Sequence, residues 1–87
     1  MTPITFTGTT SEVLTFSGLT KIKCDNIPPG GYVEVHEELS DSSGYEQAVG
    51  TAGKLVVEWP QTSGLFNLLG NYELVRSSET IKVGYEE

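Results

Sequence analysis

Apolar and polar residues alternate in short runs along the chain. Ile4, Phe6 and Gly8 alternate with Thr5 and Thr7, Leu14 and Phe16 with Val13, Thr15 and Ser17, and Ile22 and Cys24 with Lys21 and Lys23. Leu55, Val57 and Trp59 oppose Lys54, Val56 and Glu58, Tyr72 and Leu74 flank Glu73, and Ile81, Val83 and Tyr85 oppose Lys82, Gly84 and Glu86. A period of two is the mark of a strand with one face buried and one in water. Breaks rich in glycine, proline, serine and asparagine fall at 9–11, 17–18, 26–31, 40–44, 50–53, 60–64, 70–71 and 77–78. This spacing predicts an all-β antiparallel sandwich or barrel of seven or eight short strands, folded as a single domain over residues 1–87.

The alternation also names a core: Leu14, Phe16, Ile22, Val33, Val35, Leu55, Val57, Trp59, Tyr72, Leu74, Ile81 and Val83. One stretch competes with the strand reading. In "GLFNLLGN", Leu65, Leu68, Leu69 and Tyr72 fit a helical face, but glycines at 64 and 70 leave room for barely one turn. It is therefore expected to be a short strand or a turn.

The only histidine lies in "YVEVHEEL", residues 32–39. The odd positions Val33, Val35 and Leu39 are apolar, while Glu34, His36 and Glu38 share the other face, with successive residues ~6.8 Å apart. A metal site draws three or four converging ligands, and there is no second histidine to join them. The trio is thus expected to be the solvated side of a strand and not an active site. "SDSSG" at 40–44 lacks the spaced carboxylates of a calcium loop and reads as a hairpin connection with Gly44 at positive φ. "PPGG" at 28–31 has no phosphate-loop spacing, and no nucleophile elbow or carboxylate pair occurs. No catalytic, cofactor or metal residues are assigned, and the protein is not expected to be an enzyme.

Composition narrows the partners. The formal net charge is −7, and the five basic residues Lys21, Lys23, Lys54, Arg76 and Lys82 form no run. A phosphate backbone or an anionic membrane requires clustered cations, so neither nucleic acid nor membrane is an expected partner. Cys24 is the only cysteine, which excludes an internal disulfide, and its alternation with Ile22 makes it a buried structural thiol. "MTPITFTGTT" has neither a basic nor an apolar signal-peptide region, and no apolar stretch approaches the ~20 residues needed to span a bilayer. A cytoplasmic site of synthesis is expected.

Residues 68–76, "LLGNYELVR", resemble the tyrosine corner of immunoglobulin-like sandwiches: a glycine two residues before Tyr72, and an apolar residue two beyond it. That resemblance implies an Ig-like fold with the Tyr72 hydroxyl bonded back to the main chain. The cysteine pair of antibody domains is absent, and Trp59 lies later than their central tryptophan. The wider layout is similar to small β-sandwich virion proteins of tailed bacteriophages. Its pieces are "VEVHEELSDSSGY" (33–45), "FNLLGNYELV" (66–75) and "VGY" (83–85). The resemblance implies a non-enzymatic capsid decoration or cement protein, present in many copies in the virion and assembled in the host cytoplasm. Its partners would be the major capsid protein or other virion subunits, including copies of itself as a homo-oligomer. The alternative is a tail, fibre or surface recognition module that binds a glycan or protein through loops and aromatics such as Tyr32 and Tyr45.

Two segments are expected to touch a neighbouring subunit. One is the N-terminal run with Ile4 and Phe6, whose order would be explained by neighbours holding it. The other is "GLFNLLG", where Leu65, Phe66, Leu68 and Leu69 offer more apolar surface than a single turn can hide. The competing reading is that all six belong to the core of the monomer.

Overall fold

The computed structural model describes all 87 residues, Met1 to Glu87. The chain is all-β and antiparallel, with nine strands: β1 (Thr2–Pro3), β2 (Ser11–Asp25), β3 (Tyr32–Glu38), β4 (Tyr45–Gln47), β5 (Val49–Gly50), β6 (Gly53–Lys54), β7 (Val56–Glu58), β8 (Ser63–Arg76) and β9 (Lys82–Glu86). The expected short strands are joined by two long ones. β2 and β8 pair from Ser11↔Val75 to Lys23↔Ser63, forming a ribbon that runs the length of the molecule.

That ribbon builds both layers of the sandwich. The last residues of β8, from Tyr72 to Arg76, carry β3, which in turn carries β4 and β7. The last residues of β2 carry β9, and β9 carries β1. The even-numbered residues of the ribbon point inward throughout, so its alternation never slips across the bend. A one-residue slip would turn the whole apolar set to water.

The breaks expected at 17–18 and 70–71 are not loops. Phe16 pairs with Gly70 and Gly18 with Leu68, inside the ribbon where one layer turns into the other. Gly70 has φ +111, a conformation that side-chain-bearing residues rarely adopt. The bend thus needs glycine, but the ladder of hydrogen bonds continues through it. Thr20, also inward, is satisfied at the bend because its hydroxyl donates to Gly18 O at 3.0 Å.

The core contains Phe16, Ile22, Cys24, Val33, Val35, Val57, Leu68, Leu74, Ile81 and Val83. Leu14, Leu55 and Tyr72 are partly buried against it. Trp59 departs from expectation: it follows β7, outside the ladder, and half of its surface (50%) is exposed. Alternation beyond a strand's last paired residue no longer says which way a side chain faces. In the 40–44 turn, the positive φ falls on Ser42 and not on Gly44, and Asp41 accepts hydrogen bonds from the Ser43 N–H and hydroxyl.

Candidate functional site

The histidine trio faces outward on β3, as the alternation requires, but it is less wet than expected. Across the ladder Glu34 stands beside Val75 on one side and Val56 on the other, and these aliphatic neighbours shield it. His36 Nε2 donates to Glu34 Oε1 at 3.1 Å, and both side chains are only about a fifth exposed (20% and 22%). Glu38 is exposed and lies opposite Tyr45. Burial and the Glu38 and Glu73 carboxylates push the Tyr45 phenol above its ordinary value. No group of three or more His, Cys, Asp or Glu side chains is placed to hold a metal ion.

Arg76 and Gln47 tie separate parts of the fold together. The Arg76 guanidinium donates from Nε and Nη2 to Thr9 O and from Nη1 to Ile81 O, and it stacks on the Phe6 ring at 4.0 Å. Gln47 Nε2 donates to the carbonyls of Val35, Ala48 and Leu55, where the β5–β6 hairpin leaves the sheet edge. Its Oε1 is enclosed without a partner. Burial, followed by the charge of Asp25, pushes the Cys24 thiol up to about 12, so the buried structural thiol is as expected.

The six expected contact residues divide sharply. Ile4 and Phe6 are partly buried against the core, with the Ile4 N–H donated to Val83 O and Phe6 under Arg76. The N-terminal run is therefore held by contacts within its own chain. Leu68 has no exposed surface in the monomer and belongs to its core, and Phe66 is half-buried with its ring against Gly64. Leu65 and Leu69, on the odd face, are 67% and 76% exposed. The sequence reading missed Leu19, which is 64% exposed and lies diagonally between them across the ladder. Its odd position beside Gly18 was the available signal.

These three leucines form an apolar patch on the outer face of the β2–β8 ribbon. Between Glu58 and Glu73 the chain has no Asp, Glu, Lys, Arg or His, although the whole carries twelve acidic residues. Beside the patch, a groove of about 460 Å³ separates Leu65, Phe66 and Asn67 from the β5–β6 hairpin. A second groove, of about 220 Å³, lies against Trp59, Pro60 and Ile27.

The architecture defines the class: a small antiparallel β-sandwich whose conspicuous surface feature is apolar and uncharged. No family model, curated protein or solved structure matches the chain.

Proposed function

We propose that the protein is a non-enzymatic structural component of a phage particle, a decoration or cement protein present in many copies on the capsid. The observation that carries this reading is the exposed patch of Leu19, Leu65 and Leu69, the last two in a stretch of chain without charge and the patch bordered by Lys21, in a molecule that is otherwise strongly acidic. Exposed apolar surface of this kind marks a protein contact, and the acidity elsewhere keeps the free subunit soluble at high concentration. The three pieces of the virion-protein resemblance lie on the β3–β4 hairpin, on β8 and on β9, which supports reading them as one unit. The partners are the major capsid protein or neighbouring virion subunits, and assembly takes place in the host cytoplasm.

The test is co-sedimentation with particles. The wild-type chain should pellet with capsids at a fixed ratio to the major subunit, and Leu19→Lys should release it while remaining folded. Absence from purified particles would overturn the reading. Trp59 favours a second reading, a tail or fibre module that binds a glycan, because its indole is half-exposed beside a groove. In that case Trp59→Ala, and not Leu19→Lys, would abolish binding to cells or glycans.

A further inference from the structure

A sheet edge carries a row of unpaired N–H and C=O groups, and folded proteins blunt such edges to avoid pairing with other chains. Four edge segments are present here, and three are blunted. β1 ends its layer with Pro3, which has no N–H to offer. The opposite edge, β4 and β7, is interrupted by the β5–β6 hairpin. On β2, residues 11–20 pair only with β8, because β9 joins at Lys21. That open side is guarded by charge: Glu87 accepts from the Ser17 N–H at 2.7 Å and from its hydroxyl, and Glu12 lies further along.

The fourth edge is unpaired, and the β5–β6 hairpin faces it only across the groove lined by Leu65, Phe66 and Asn67. β3 joins β8 only at Tyr72, so residues 63–71 of β8 have main-chain partners on the β2 side alone. Only the Leu69 N–H finds another partner, the Tyr72 hydroxyl at 3.3 Å, a long bond that a carbonyl from a second strand can replace. Residues 63–68 contain no proline and no charged side chain, and no loop bonds to their free main-chain groups; Glu37 and Lys54 stand beside the groove without capping it.

We infer that this edge pairs with the same edge of a second copy, antiparallel about a two-fold axis through Asn67, joining two sandwiches by one continuous sheet. The chemistry of the edge selects this occupant. Two molecules of net charge −7 repel each other over most of their surfaces, and the stretch from 59 to 72 brings no carboxylate of its own to the contact, with Glu37 and Glu38 standing only at its Leu69–Tyr72 end. The stretch is also self-complementary about Asn67. Leu65 faces Leu69 of the second copy and Leu69 faces its Leu65, while Phe66 and the core residue Leu68 come opposite each other only in main-chain register. The exposed leucines of the two patches then merge, and a two-fold contact closes at two subunits. The inference goes beyond the particle reading and holds without it.

Sedimentation velocity on the purified chain, with no particles present, tests it. The wild type should sediment as a dimer that dissociates on dilution. Leu65→Lys and Leu69→Lys, both outward-facing, should each be monomeric with unchanged circular dichroism, the dimer being weakened at least tenfold. In a second test that leaves the leucines in place, Asn67→Cys should form a disulfide-linked dimer on mild oxidation. Thr15→Cys, on the guarded edge, should not, and the buried Cys24 should take no part. A wild type that is monomeric at all concentrations, a dimer that survives both lysines, open-ended oligomers, or cross-linking favoured at position 15 would each overturn the inference.

Discussion

Leu68 and Leu69 are chemically identical neighbours in one strand, yet one has no exposed surface and the other is 76% exposed. The same contrast runs the length of the β2–β8 ribbon. Its inner face carries Phe16, Ile22, Cys24, Leu68 and Leu74, and its outer face carries Val13, Leu19, Leu65 and Leu69. On the inner face, apolar residues are explained by the fold. On the outer face they contribute little to the monomer and so point to something outside it. Hydrophobicity alone does not separate the two kinds of leucine; the parity of their position does.

The largest expected contrast between the faces is chemical. With its thiol pushed up to about 12 from an ordinary value of 9.0, Cys24 should react with a thiol reagent at pH 8 on the order of a thousandfold more slowly than a cysteine placed at Leu19. Equal rates in the native protein, followed by spectrophotometry, would show that the inner face is open. Energetically, Leu68→Ala should cost about 2–5 kcal/mol in a urea melt, whereas Leu69→Ala should stay within about 0.5 kcal/mol. Similar losses for both would remove the distinction between the faces.

Gly70 allows one strand to serve both layers. A Cβ there would meet no atom within 4 Å, so the cost of Gly70→Ala comes from φ +111 alone and should be about 1–3 kcal/mol. Just past the bend, Tyr72 carries the expected return of a tyrosine hydroxyl to the main chain, with the Leu69 N–H as donor, and its ring packs on Phe16 at 6.2 Å. Tyr72→Phe keeps the ring and loses that long bond, which should cost at most about 1 kcal/mol.

The smallest effect is at the guarded edge of β2. Hydrogen bonds from the Ser17 hydroxyl and N–H hold the Glu87 carboxyl below its ordinary value. A depressed carboxyl stabilises the fold above the unfolded-state value, and the contribution disappears as pH falls through the folded-state value. An NMR titration should show Glu87 ionising at lower pH than an ordinary glutamate, and Ser17→Ala should raise its midpoint. A midpoint unmoved by Ser17→Ala would mean that this edge is not capped by Glu87.

Much of the fold was legible because period-two alternation depends only on each residue and its immediate neighbours. It marked the inward residues of β3 and β9, Leu14, Phe16 and Ile22 of β2, Tyr72 and Leu74 of β8, and the buried state of Cys24. Glycine was misread at Gly18 and Gly70, since a break in propensity looks the same whether the chain turns back or merely bends. Trp59 was misread because a side chain's direction past the end of a ladder is set by the loop, not by the pleat.

The candidate surface was legible only in part. "GLFNLLG" stood out as too apolar to be hidden, but which of its residues face out requires the strand to be recognised as continuous from Ser63 to Arg76. Likewise, Phe6 and Leu65 look alike in the sequence. The fold supplies Arg76, seventy residues from Phe6, to cover the one, and supplies nothing to cover the other.

The sequence by itself determined the strand period, the parity of the core and the charge-free window from 59 to 72, all local properties of side chains. The tertiary structure decided which edges are paired and which are bare. Pairing depends on where β3 and β9 meet the long ribbon, and those long-range registers are set by closure of the whole core.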